Sequence, residues 1–414
     1  MVFIYNFFLI FLCIILSPII LIAFIIQPKF RAGFWNKSGF YSFKKQRKTT
    51  VFHAVSVGEV NAVKDLIFQY KKLHNDEDII VTTTTLTGQT LAKKVFAGCA
   101  AVTYFPYDFF FSVLSFLDIF KPEKIIVAET EIWPCFVTLA KLKGIKVYTV
   151  NGRISPHSYD GYKKLKFFLS PILNRYEKIF MQTKDDSLRI IDVGADSAKV
   201  EVMGNLKFDI RPNLSNDEIE KYSDELKTQN YRLFIGASTH KGEDEMVLTA
   251  FDFIKQKHPD AKLLLVPRHP ERYDEVISLL NNSGYKWGKR SLKDNFEQND
   301  IILLDTMGEL SKLFSLCHVA FIGGSFSQTG GHNPLEANVW NKPVISGPCI
   351  FNFKDVYRIV TEKNCAVIVN NQEEFNSELL SFYENNGKYS SYCNNAKFVF
   401  SENNGAIKYV LDRI

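Results

Sequence analysis

The chain has 414 residues, 46% of them apolar and 23% charged, with a net charge of +5 and a pI near 8.6. That length exceeds one ordinary domain, and the balance is globular, which excludes a disordered or fibrous chain. The mild positive charge suits an anionic substrate or membrane surface; no homeodomain, zinc-finger or ribonucleoprotein pattern is present, so no nucleic-acid partner is expected. The seven scattered cysteines contain no CxxC pair, which fits a reducing compartment, and neither a metal nor a cofactor is expected.

Residues 7–26 (FFLIFLCIILSPIILIAFII) carry no charge. At about 1.5 Å per residue they span roughly 30 Å, the thickness of a bilayer core, so residues 1–27 are expected to form a membrane anchor helix. A cleaved signal peptide fits less well, because no basic segment precedes the run and no small-residue cleavage site follows it. Pro18 leaves open a kinked helix or an inserted hairpin. Residues 27–48 hold Lys29, Arg31, Lys37, Lys44, Lys45, Arg47 and Lys48 without an acid. By the positive-inside rule the remainder lies in the cytoplasm, and each basic residue offers about 1 kcal/mol toward anionic head groups.

From residue 50 onward, apolar runs alternate with helical patterns. TTVFHAVS, DIIVTTTT, KIIVAET, KVYTVNG, KIFMQT and KVEVMG are followed, after residue 230, by YRLFIGAS, AKLLLVPR, DIILLD, HVAFIGGS, KPVISGP and CAVIVN. Such dense Val, Ile and Leu runs suit parallel strands buried on both faces. EVNAVKDLIFQYKKL and EDEMVLTAFDFIKQKH read as helices between them. The body is therefore α/β, two βαβ sheets in series, with the break in the polar stretch 211–230 and domains at 28–210 and 211–414. Two open sheets of this kind bind ligands at the carboxyl ends of their strands.

Several strand ends carry polar groups. In HAVSVGEVNA (53–62) a lone carboxylate, Glu59, follows Gly58 where a strand turns into a helix. Gly58 is expected to permit a close turn, and Glu59 is either a helix-start charge or a reactive group. VAETEIWP (127–134) ends a strand with Glu129 and Glu131, which point to opposite sides if the strand continues. GNLKFD (204–209) offers Lys207, as a linker lysine or a site cation. LLVPRHPE (264–271) holds Arg268 and His269 between Pro267 and Pro270, where a guanidinium can grip a phosphate or sit in solvent. LLDTMGEL (303–310) ends a strand at Asp305 and opens a helix at Thr306. VAFIGGSFSQTGGHNPLEANVW (319–340) runs from strand through a glycine loop into a helix, with Asn333 as N-cap, Pro334 as first residue and Glu336 in the first turn; free amides there form either an anion site or an ordinary capped turn. His240, Glu243, Asp244 and Glu245 in IGASTHKGEDE read as the acidic first turn of a helix rather than a metal site.

In this order, HAVSVGE, ETEIWP, GNLKFD, STHKGEDE, VPRHPER, DTMGEL, GGHNPLE and GP…FNFKD resemble the 3-deoxy-D-manno-octulosonic acid (Kdo) transferases of Gram-negative lipid A assembly, glycosyltransferase family 30, over the whole chain. The resemblance implies a GT-B fold, two Rossmann-like domains facing a central cleft, the first binding the acceptor and the second the donor. It implies inverting transfer of Kdo from CMP-Kdo to a tetra-acylated, phosphorylated lipid A precursor at the cytoplasmic face of the inner membrane, with release of CMP. Carried over by motif, Glu59 is the general base, and Glu129 and Lys207 support the transition state. Pro267, Arg268, His269, Met307, Gly308, Glu309, Asn333, Pro334, Leu335 and Glu336 hold CMP. The chain departs from the family pattern in TTTTLTGQ (82–89), where Thr-Pro-Thr-Gly is more usual. It departs again at Gly152, where Ala is commoner, and at Cys135, where Asn is usual. Neither the number of Kdo units added nor the oligomeric state is implied.

Overall fold

The structure is a computed structural model and describes residues 2–27, 31–42, 47–210 and 214–414. Lys29, Lys44 and Lys45 of the basic stretch, and residues 211–213 of the expected break, lie outside the described residues.

Two seven-stranded parallel sheets carry the chain. The first comprises β1 (Thr49–His53), β2 (Asp78–Thr83), β3 (Ala101–Tyr104), β4 (Lys124–Ala128), β5 (Lys146–Gly152), β6 (Lys178–Met181) and β7 (Val200–Val202), in the order β3-β2-β1-β4-β5-β6-β7. The second comprises β8 (Arg232–Thr239), β9 (Ala261–Pro267), β10 (Trp287–Lys289), β11 (Ile301–Leu303), β12 (Cys317–Ile322), β13 (Val344–Ser346) and β14 (Ala366–Ile368), in the order β10-β11-β9-β8-β12-β13-β14. In each sheet the chain fills one side of its first strand and then crosses to the other; in the second, β10 takes the edge before β11 fills the place between it and β9. The switch points fall between β1 and β4 and between β8 and β12, where doubly wound sheets open a crevice at their carboxyl ends.

The residues dictate this layering. Val51 and Phe52 alternate across β1, so each faces its own core. Phe52 packs with Val60, Val63, Leu66, Ile67 and Tyr70 of the helix Val57–Leu73, whose apolar positions recur every three or four residues. Val51 packs on the opposite face with Phe116 and Phe136. In the second sheet Phe234, Leu263, Leu265 and Phe321 pack with Val247, Phe251 and Ile254 of the helix Glu243–Lys255. Truncating a buried ring such as Phe136 or Phe251 to Ala is expected to cost about 3–5 kcal/mol.

The chain divides into residues 1–209 with 403–414, and residues 210–402. The expected assignment of everything after 211 to the second domain therefore fails for the last twelve residues. Ala406, Ile407 and Val410 are buried in the core of the first unit, and the Asp209 carboxylate accepts hydrogen bonds from the amides of Gly405 (2.9 Å) and Ile407 (2.7 Å).

The break that Pro18 left open in the expected anchor segment is made. Val2–Ile15 and Ser17–Ile26 are separate helices bent by 63°, because Pro18 cannot continue the ladder and the Ser17 hydroxyl takes up the carbonyl of Ile14 at 2.8 Å. No single helix among the described residues is long and apolar enough to cross a membrane; the bent pair taken together matches a span in length and composition only. Its first helix is tied to the first unit. Tyr5 packs on that unit's core, and the Asn6 side-chain oxygen accepts the amide of Phe110 at 2.7 Å. Phe7, Phe8 and Phe11 stay exposed.

Candidate active site

At the first switch point β1 ends at His53 and the chain reaches its helix through residues 54–56. Ser56, extended at φ −127°, is the N-cap and its hydroxyl oxygen accepts the amide of Glu59 at 3.5 Å. Glu59 folds back over this turn: Oε2 accepts the Val55 amide at 2.8 Å and Oε1 the Ser56 hydroxyl at 3.1 Å. The carboxylate is thus a cap, and at 7% exposure a buried one. Burial lifts its pKa from 4.5 to about 7. The Val55 and Ser56 hydrogen bonds oppose that rise, and the charges of Glu129 and Glu131 add to it. A carboxyl poised there can take a proton near neutral pH and give it up again. Gly58 lies in the helix without a positive φ, and a Cβ there would meet only the Ser56 hydroxyl, at an ordinary 3.8 Å, so the close turn expected of it is not made.

β4 stops at Ala128, and the chain turns at Glu129, which adopts φ 57°, an uncommon left-handed conformation for a glutamate. The strand alternation expected of Glu129 and Glu131 therefore does not apply. Glu129 Oε1 lies 3.8 Å from Lys207 Nζ, and the two side chains are 32% and 19% exposed. Lys207 is no linker residue. It sits in the short turn Leu206–Phe208 of the first unit, fixed by a group of amides. Asn205 Oδ1 accepts the Lys207 amide at 3.0 Å, Asn205 Nδ2 donates to Gln182 at 3.0 Å, and Asn151 Oδ1 accepts the Leu206 amide at 3.0 Å. Sequence reasoning placed Glu131 among candidates without a role; burial and then the charge of Glu129 raise its pKa, and it acts electrostatically on Glu59.

The second switch point holds a cavity of about 350 Å³. Ala237 and Ser238 of β8 and Ile322 of β12 line it, with Arg268 after β9, Gly308 after β11, and His332, Asn333 and Glu336 after β12. β8 is bulged between Ala237 and Thr239, with Ser238 at φ 54°. Gly323 is required beside it: a Cβ there would lie 2.5 Å from the Ser238 carbonyl oxygen. The Arg268 amide donates to Thr239 O at 3.0 Å, while its exposed guanidinium makes no hydrogen bond or ion pair among the described residues. A free cation on a cavity wall is a ready phosphate ligand.

The glycine loop differs from expectation. The amides of Gly324 (2.7 Å), Ser325 (2.8 Å) and Phe326 (2.8 Å) all donate to the Glu243 carboxylate, which also accepts the His240 amide at 2.9 Å. A buried side chain of the protein thus fills the anion nest. The helix beyond is one turn, Leu335–Asn338, with Pro334 and not Asn333 at its N-cap; Asn333 Oδ1 accepts the Leu335 amide at 3.2 Å. So short a helix brings little dipole, and the anion reading rests on Arg268 and its neighbours instead.

Of the expected CMP ligands, the cavity brings together Arg268, Gly308, Asn333 and Glu336. Pro267, His269, Met307, Glu309, Pro334 and Leu335 do not line it. Pro267 ends β9 and Leu335 is buried, both supporting the loops; Met307 is 82% exposed. Glu309 turns to Arg290 (3.0 Å) and accepts the Thr306 hydroxyl, which holds the loop that carries Gly308. The strand expected to reach Asp305 stops at Leu303, and the helix opens at Leu310; the Asp305 carboxylate accepts the Ser291 amide at 2.8 Å. The departures at Cys135 and Gly152 are structural. The Cys135 amide is capped by Asp108 at 3.0 Å, and a Cβ on Gly152 would come within 2.5 Å of Met181 Sδ.

Two parallel doubly wound sheets, each with polar groups gathered at its switch point, are the paired Rossmann-like domains of the GT-B fold. A UDP-GlcNAc 2-epimerase from Neisseria meningitidis, solved with UDP-GlcNAc bound, shares this fold with a TM-score of 0.51 at 15% identity, over 89% of this chain and 99% of that one. Residues 32–210 match the family described as 3-deoxy-D-manno-octulosonic-acid transferase (kdotransferase), and residues 215–398 match glycosyl transferases group 1. The 3-deoxy-D-manno-octulosonic acid transferase of Haemophilus influenzae is 33% identical over 99% of this chain and 97% of its own. That of Rickettsia typhi is 33% identical over 84% of this chain and 75% of its own. The chain belongs to the Kdo transferase family.

Proposed function

We propose that the protein moves Kdo from CMP-Kdo to a tetra-acylated, phosphorylated lipid A precursor, inverting the anomeric centre and releasing CMP, in lipopolysaccharide assembly. The observation that carries this reading is the buried Glu59, held beside Glu129 and Glu131 with its pKa near 7. An acceptor hydroxyl must lose its proton as its oxygen bonds to the anomeric carbon, and a positioned base of matched pKa contributes about 10²–10⁴-fold. Lys207, paired with Glu129, offers positive charge to the developing negative charge. The leaving group is a single phosphate, and the free guanidinium of Arg268 is suited to receive it, with Gly308, Asn333 and Glu336 around the nucleotide.

A lipid acceptor stays in its membrane, and the N-terminal helices suit an enzyme that works there. Phe7 is 70% and Phe8 68% exposed, and each such side chain gains about 1.5–3 kcal/mol on leaving water. The reading places the chain at the bacterial inner membrane with its catalytic body on the cytoplasmic side. Product mass spectrometry with CMP-Kdo and a tetra-acylated acceptor tests it. The expected products are an acceptor heavier by Kdo and free CMP; transfer from a UDP-sugar, or none from CMP-Kdo, overturns it.

A further inference from the structure

His332 lines the cavity of the second unit, and its Nε2 lies 3.0 Å from Nε2 of His240. The rings are nearly parallel, with an interplanar angle of 12° and centroids 5.3 Å apart. The backbone of His332 is held on both sides: its amide donates to Gly323 O at 3.2 Å and its carbonyl accepts the Tyr357 hydroxyl at 3.2 Å. Two imidazole nitrogens at this distance share one proton, one donating and the other accepting. Nδ1 of His332 makes no hydrogen bond among the described residues.

The charged groups around the pair come from every neighbouring loop. Arg268 and His269 after β9 act on both rings, and Arg272 and Glu243 act on His240. Arg272 is itself paired with buried Asp244, Glu243 is taken up by four amides, and Glu336 lies across the cavity wall. Burial first, then Arg268, His240 and His269, holds His332 down at about 4, and burial lowers His240 too. Burial and these cations therefore keep the pair uncharged near neutral pH. An anion paired with Arg268 offsets the positive charge that weighs most on His332, which raises the pair's proton affinity.

We propose that His332, backed by His240 as its positioning partner, is a further contact for the donor's anionic groups, and that the pair takes one proton from solvent as the anion binds. This rests on reading the cavity as the donor's phosphate site. No bond of the ligand changes; one N–H bond forms on the pair as the buffer acid gives up its proton. The proton leaves the buffer, the Nε2–Nε2 hydrogen bond persists, and the charged pair offers an N–H to the anion. Affinity therefore rises as pH falls through the bound-state value and levels off below about 4.

The test is calorimetric titration of the full chain with cytidine 5′-(methyl phosphate) at about pH 6, in two buffers of different ionisation enthalpy. The diester is chosen because a monoester phosphate titrates near about pH 6 itself. The wild type is expected to take up about half a proton or more per ligand. His240→Gln, which keeps a hydrogen-bonding partner for His332 but cannot share the charge, is expected to bind several-fold more weakly with uptake near zero; His332→Gln should do the same. Binding without proton uptake by the wild type, or unchanged uptake in both variants, overturns the inference and leaves the donor site standing. Absence of binding by the wild type overturns both.

Discussion

The end of β1 presents Glu59, and the end of β4 presents Glu131 and Glu129, the latter paired with Lys207. The end of β8 presents Ser238 and His240, joined by Arg268 after β9 and His332 after β12. The two sheets share one topology and one kind of switch point, yet the first gathers carboxylates and the second gathers cationic and imidazole groups. What differs is the proton's fate at each. Burial first, then the charge of neighbouring carboxylates, raises the proton affinity of Glu59, as the proposed base requires. A free guanidinium beside imidazoles lowers theirs and makes a receptor for an anion. The fold supplies equivalent ledges, and the side chains on them divide the chemistry.

That contrast can be broken from either side. Glu59→Gln should lower turnover by about 10²–10⁴-fold with CMP affinity unchanged, measured by single-turnover transfer and by calorimetry. Arg268→Ala should do the reverse, weakening CMP by about 10–100-fold, the loss of one charge-assisted contact, with Glu59 and its pH dependence intact. Glu131→Gln removes a negative neighbour of Glu59, so the midpoint of the pH–rate curve should move toward acid with little change in its plateau. The smallest effect belongs to Gly58→Ala. With helical backbone and only an ordinary contact to the Ser56 hydroxyl at 3.8 Å, it should raise stability by up to about 1 kcal/mol, read from the denaturation midpoint. A destabilised Gly58→Ala variant would restore the close turn expected from the sequence.

Much of the fold was legible because the strands nearest each switch point are buried on both faces and read as continuous apolar runs. β3 and β10 were not, since each is a short edge strand, half-exposed and without such a run. Pro18 left a kink or a hairpin open in the apolar N-terminus, and nothing in the sequence pointed to Asn6 tying the first helix to Phe110. Glu59 could be singled out as a lone carboxylate at a helix start. The setting of Lys207 could not, because Asn151, Gln182 and Asn205 come from separate elements. Nor could the filling of the glycine-loop nest by Glu243, which stands 81 residues before its first amide partner in that loop.

The pH dependence of single-turnover Kdo transfer, wild type against Glu59→Gln, tests the central claim most directly. The wild-type rate should climb with pH and level off above about 7, because the base works only when deprotonated, and the residual rate of the variant should be flat across that range. A variant whose rate still climbs through the same midpoint would assign the proton to another group and contradict the role given to Glu59.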